Sequence, residues 1–282
     1  MKLATIQQGD HKQVGIVEGE QVFLLPLQSF PSIEYIIQGG KNLLSEISAR
    51  KTSFPQKRVF EVKLKAPLSN PGKIIGIGLN YRDHCREQNV PIPERPVVFA
   101  KFSSSIIGTG EDIRWSVEVT QQVDFEVELG VVIGKTARNV APQEALNFVF
   151  GYTIVNDVSA RDIQFRDRQW VRAKSLDTFC PMGPWIVTSD EIPDPQRLHL
   201  STKLNGVTMQ DSSTSEMVFS VAELISFLSH SFTLQPGDVI ATGTPDGVGV
   251  FRKPPVFLKD GDFLHMEIED IGVLENTCRT NL

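Results

Sequence analysis

The chain has 282 residues, 40% hydrophobic and 22% charged, a balance that excludes disorder and leaves room for one large domain or a small one beside a larger one. A net charge of −6 and a pI near 5.5 argue against a nucleic-acid partner, and no apolar run approaches the ~18 residues of a membrane span. The N-terminus turns polar at Gln7-Gln8 before a signal-peptide core forms, and Cys85, Cys180 and Cys278 are odd in number and far apart. They read as free thiols in a reducing compartment, so the expected location is cytoplasmic.

In chain order, three short strands come first, at Lys2–Gln7, Gln13–Glu18 and Gln21–Leu25, broken at Gly9-Asp10 and Glu18-Gly19-Glu20. Residues 32–50 carry a helical pattern interrupted at Gly39-Gly40. No catalytic constellation occurs here. The expectation is a small N-terminal α/β domain over 1–68 and a second domain over 69–282, divided at the proline-bounded stretch 67–71.

An apolar strand, Lys73–Gly78, leads into Asn80-Tyr81-Arg82-Asp83-His84-Cys85-Arg86-Glu87. Asn80 is the expected N-cap of a short helix over Asp83–Gln88, on which His84 and Glu87 share a face at i and i+3. An exposed helical pair is the competing reading. Gly76-x-Gly78-x-x-Tyr81 is half a dinucleotide fingerprint, but it lacks the third glycine and the βαβ context. Pro91, Pro93 and Pro96 then mark a loop of the kind that forms a lid.

Strict alternation over Val123–Leu129 predicts a strand with Val123, Phe125, Val127 and Leu129 on one face and Asp124, Glu126 and Glu128 on the other. Successive carboxylates then lie about 7 Å apart, at the ordinary strand rise. A solvated face is the ordinary reading of such a pattern, but this run enters Leu-Gly-Val-Val-Ile, too apolar for the surface. A buried carboxylate needs a partner, and a hard divalent cation with oxygen ligands is the natural one. Glu126-x-Glu128 is therefore the expected core of a metal site.

Downstream, a short helix is expected over 142–150 and a buried strand over Gly151–Asn156, which ends at Asp157. Lys174 precedes an apolar, proline-braced stretch, a placement that favours a functional lysine over a solvated one. Asn205-Gly206 between two short strands predicts a type I′ hairpin. Ser220 and Glu223 form a capping box ahead of an amphipathic helix. The loop Thr242-Gly243-Thr244-Pro245-Asp246-Gly247 lacks a P-loop lysine, yet its amides and hydroxyls could hold a carboxylate. Only five histidines are present, which favours a hard ion over zinc.

Five motifs occur in order: Asn80-Tyr81-x-x-His84-x-x-Glu87, Asp124-Phe125-Glu126-Val127-Glu128, Asn156-Asp157-Val158-Ser159-Ala160-Arg161-Asp162, Lys174-Ser175-x-Asp177-Thr178-Phe179-Cys180-Pro181 and Thr242-Gly243-Thr244-Pro245. Together they resemble the fumarylacetoacetate hydrolase family over roughly residues 70–282. The resemblance implies a mainly β fold with some α, a mixed β-sandwich roll, usually as a homodimer. It implies Glu126, Glu128 and Asp157 as ligands of Mg2+ or Mn2+. It further implies substrate contacts from Tyr81, Arg161, Gln164, Lys174 and Thr244, and His84 as a general base oriented by Glu87, with His84, Glu87 and Lys174 as the catalytic set. A further aspartate ligand of the founding hydrolase has no match here, which leaves that position to water. The implied substrate is a small 2-oxo acid. Keto–enol tautomerisation of oxaloacetate, with decarboxylation beside it, is the leading expectation. Hydrolysis of acylpyruvates is the alternative, and a non-catalytic binder of metal and ligand is the alternative of another class.

Overall fold

The apolar run Val127–Ile133 is a strand shared by two cores. In the computed structural model, which describes residues 1–280, Val127, Leu129, Val131 and Ile133 enter one hydrophobic cluster and Val132 the other. Its antiparallel neighbour Val149–Asn156 does the same, with Tyr152 and Ile154 on one side and Phe150 and Val155 on the other. Burial on both faces is why these segments carry near-continuous apolar residues.

The main sheet has twelve strands. From one edge they run Gln56–Arg58, Gln21–Leu24, His11–Glu18, Lys2–Gln8, Cys180–Thr188, Val149–Asn156, Val127–Ile133, Val239–Ala241, Ile74–Gly78 and Val97–Lys101, with Lys63–Lys65 and Ile106–Ile107 pairing alongside. Val239–Ala241 pairs parallel with Ile74–Gly78, whereas most other neighbours are antiparallel. A five-stranded sheet, ordered Val207–Ser213, His199–Leu204, Phe263–Ile268, Gly272–Thr280 and Ile113–Trp115, packs on one face. Its Leu200, Met209, Leu264 and Met266 share a cluster with Val127 and Leu129, which makes the sandwich. The fold is mainly β with some α, as expected.

The first strand, Lys2–Gln8, pairs antiparallel with Cys180–Thr188, so the N-terminal segment extends the main sheet. Its helix, Ile33–Arg50, is capped by Ser32 and breaks at Gly40, where φ is 59°. Ile33, Ile36, Ile37 and Ile47 cover the sheet face opposite the five-stranded layer, in the cluster that holds Val132 and Val155.

Local signals hold where they were strongest. Asn205 and Gly206 have φ of 50° and 83°, the type I′ hairpin, and the Ser220–Glu223 capping box opens Val221–Ser231. Two expectations need correction. Asn80 is not a helix cap: Tyr81 takes that position ahead of Arg82–Gln88, while the Asn80 amide donates to the carbonyl of Thr242 at 2.7 Å. The segment after Ala141 is a 3-10 helix, Pro142–Phe148.

Candidate active site

The acidic strand does not run unbroken. Val123–Asp124 pairs with Ser159–Ala160, and Val127–Ile133 with the preceding strand ending at Asn156, in the same register on both sides of the gap. That register sets Glu126 across from Asp157, whose amide donates to the Glu126 carbonyl at 2.9 Å. Glu128 stands one turn of the pleat further in. Asp124, Glu126, Glu128 and Asp157 are all buried, so the solvated-face reading is wrong. Oxygens of Glu126, Glu128 and Asp157 lie within 4.8 Å of one another.

Like charges placed opposite each other on a ladder repel, and burial magnifies the cost. Three cations answer it. The Lys174 ammonium donates to Glu126 at 2.8 Å, Asp157 at 2.6 Å and the Ser159 hydroxyl at 2.8 Å. Lys101 donates to the other Asp157 oxygen at 2.7 Å and to the Lys174 carbonyl. Arg161 reaches Glu126 at 2.7 Å and Asp124 at 2.8 Å, and donates to the Gln164 side-chain oxygen at 2.9 Å.

Burial alone would raise the Glu126 carboxyl, yet Lys174 and Arg161 hold it at about 2. Glu128 is different. Burial first, then Asp157 and Glu126, push it well above the usual carboxylate range, against Lys174 and a hydrogen bond from the Gly243 amide at 2.9 Å. Four buried carboxylates thus face three buried cations, with Glu128 the least compensated. An all-oxygen donor set with a negative charge to spare fits a hard divalent cation. Adding such an ion leaves one positive charge, ready for an anionic ligand.

The Gly-rich loop does hold a carboxylate through an amide, and that carboxylate is Glu128 of the chain itself. Gly243 has φ of +98°, and a Cβ there would lie 2.8 Å from that of Asn80, so only glycine fits this close approach. The same loop ties down the histidine. Its Gly247 amide donates to Glu87 at 2.8 Å, and the other Glu87 oxygen lies 2.8 Å from His84 Nδ1. A carboxylate only accepts, so Nδ1 carries the proton, and the Nε2 lone pair accepts from the Gln88 side-chain amide at 2.6 Å. His84 is buried, which rules out the exposed-pair reading.

Both groups border one cavity of about 130 Å³. His84, Glu126, Glu128, Arg161, Gln164, Lys174 and Thr244 reach its wall, while Glu87 and Asp157 stand behind residues that do. Tyr81, expected at the substrate, does not reach it: the backbone bridges to Met217 and turns the ring into the core. Lys174 is buried, as its neighbourhood predicted, but all three of its ammonium protons are engaged within the protein. Lys101 and Gln210 were missed. Lys101 sits 56 residues before Asp157 at the end of an edge strand, Val97–Lys101, where no nearby residue signals an acidic partner. Gln210 comes from the second sheet, and its amide nitrogen donates to Thr244 Oγ1 at 2.8 Å.

The model of the fumarylacetoacetate hydrolase C-terminal domain matches residues 73–279. The chain belongs to that family. Among curated members it is 48% identical over 246 residues to the mitochondrial oxaloacetate tautomerase FAHD2A of Bos taurus, covering 86% of this chain and 78% of that protein. It is 52% identical over 245 residues to the Xenopus laevis tautomerase, covering 86% and 76%. Among solved structures, fumarylacetoacetate hydrolase of Exiguobacterium antarcticum superposes with a TM-score of 0.90 at 39% identity over the whole of both chains. Maleylpyruvate hydrolase of Sphingobium sp., in complex with manganese(II) and pyruvate, superposes at 0.86 and 30% identity, again over both whole chains. The protein is thus an enzyme of this family with a site for a divalent metal. The cytoplasmic expectation does not stand, because the tautomerases of Bos taurus, Xenopus laevis and Homo sapiens are designated mitochondrial.

Proposed function

We propose that the protein interconverts the keto and enol forms of oxaloacetate, with Mg2+ or Mn2+ held by Glu126, Glu128 and Asp157. The observation that carries this reading is the meeting, across one small cavity, of the buried carboxylate cluster with the unprotonated Nε2 of His84. The bound cation would supply Lewis acidity toward the C1 carboxylate and C2 oxygen of a 2-oxo acid. Once substrate takes the place of the Gln88 amide at Nε2, His84 Nε2 takes a proton from C3 and returns it to the C2 oxygen, or the reverse, with no net loss of atoms. Glu87 keeps the imidazole in the tautomer this needs. The amide nitrogen of Gln164, whose oxygen is committed to Arg161, is free to donate to the substrate carboxylate. Because Thr244 Oγ1 accepts from Gln210, its own proton is uncommitted, and at the cavity wall it serves as a second donor. Lys174, Lys101 and Arg161 hold the carboxylates in place, and Tyr81 is assigned no contact.

The names of the vertebrate relatives support tautomerisation. The name of the Sphingobium neighbour, a maleylpyruvate hydrolase in complex with pyruvate, favours a second reading, hydrolysis of a 2,4-dioxo acid to pyruvate, with His84 activating water. The edge strand Val97–Lys101, with Val98 41% and Phe102 just beyond it 57% exposed, supports a homodimer as part of the same reading. Light scattering tests that state. Loss of the oxaloacetate enol absorbance, with either metal and with a chelator, tests the activity. Metal-dependent decay is expected. Pyruvate release from acetylpyruvate without enol decay would transfer the assignment to hydrolysis, and full activity in chelator would sink the metal's role.

A further inference from the structure

Gly76-x-Gly78 is half a dinucleotide fingerprint without its third glycine or βαβ context. Both glycines lie on the strand Ile74–Gly78, two apart and so on one face. Gly76 pairs directly with Phe99 across the ladder. A Cβ at Gly76 would fall 2.2 Å from the Phe99 ring, and one at Gly78 would fall 2.4 Å from the Trp170 ring. Two side chains are thus missing where two large rings lie, the arrangement in which an aromatic covers a strand glycine.

The rings also fix each other. Their centroids are 5.5 Å apart with planes at 65°, an edge-on contact, and the Lys174 ammonium lies 5.0 Å from the Phe99 centroid. Phe99 and Trp170 both border the cavity, as do the polar Gln164 and Thr244. At about 130 Å³ the cavity is well below the ~300–1,000 Å³ of ordinary drug-sized sites. We propose that Phe99 and Trp170, seated on Gly76 and Gly78, form the specificity-determining wall that limits substrates to short 2-oxo acids and refuses longer acyl tails. The proposal rests on the reading of the cavity as a 2-oxo-acid site, and names the length of acid it takes.

Calorimetric titration of the Mn2+-loaded protein with 2-oxobutyrate and 2-oxooctanoate tests it without turnover. The unsubstituted protein should prefer the short acid by about tenfold or more, since a single methylene in a fitted pocket carries roughly 10–200-fold. Trp170→Ala should shrink that preference at least about tenfold. Phe99→Leu, which keeps an apolar residue on the strand, should act in the same direction, and circular dichroism checks that both variants fold. Equal affinity of the unsubstituted protein for the two acids, or a preference that moves less than about threefold in both folded variants, would overturn the wall. Should oxaloacetate still be turned over in that case, the wall alone fails. Should neither acid bind the loaded protein, the 2-oxo-acid reading falls and takes the wall with it.

Discussion

The two halves of the site are built differently. The carboxylates stand at the end of an antiparallel ladder, each clamped by cations or an amide from other elements. The imidazole rides on a seven-residue helix, Arg82–Gln88, tied by single bonds: Ser212 to Asp83 at 2.5 Å, Arg82 to the Met217 carbonyl at 2.5 Å and the Gly247 amide to Glu87. A cluster that must hold like charges together needs scaffolding that cannot relax, because any relaxation separates them. A base needs one lone pair in one direction, and a short helix beside the proline-marked loop supplies it. Loss of function should therefore come with a change in stability in the first region, down where a clamped charge is removed and up where the surplus one is, and without a change in the second.

The largest effect belongs to Glu126→Ala. It takes one of two carboxylate partners from each of two buried cations, leaving Lys174 with Asp157 and Arg161 with Asp124, so chemical denaturation should show a loss of about 1–3 kcal/mol. Mn2+ binding should vanish in titration. A stable variant that still binds the ion would erase the contrast between the regions. His84→Ala should lower turnover by about 10²–10⁴ while Mn2+ affinity and melting temperature stay near those of the unsubstituted protein. A melting temperature that falls as far as that of Glu126→Ala would mean that the helix is scaffold too.

Glu128→Gln sharpens the contrast further, because it removes the charge in excess. Without metal the variant should be more stable at neutral pH by about 0.5–2 kcal/mol, although it no longer binds the ion. The sign follows from the raised carboxyl: its folded value lies above the unfolded one, so ionisation opposes folding more as pH climbs from the unfolded value toward the folded one. The advantage of the variant should therefore fade on acidification. Glu126 runs the other way. Its folded value of about 2 lies below the unfolded ~4.3, so its contribution is complete above pH ~4.3 and is lost as pH falls toward 2. Thermal melts of the metal-free variant and parent across that range read both. The smallest difference is dynamic: amides of Arg82–Gln88 should exchange at least about tenfold faster than those of Val127–Ile133. Equal protection would make the two regions one cooperative unit.

Much of this was legible in the residues themselves. The hairpin at Asn205-Gly206, the capping box at Ser220, the break at Gly39-Gly40 and the pairing of His84 with Glu87 each depend on a few adjacent residues, and local backbone chemistry decides them. The carboxylate cluster was legible because alternation and an apolar continuation are also properties of a short window. Four things could not be read that way: Lys101 on Asp157, Tyr81 turned into the core, the committed ammonium of Lys174, and the rings of Phe99 and Trp170 lying over Gly76 and Gly78. Each is a meeting of side chains distant in the chain or across a ladder, set by strand order and register. A charge or a ring announces its chemistry in the sequence, but only the packed sheets determine which partner uses it up.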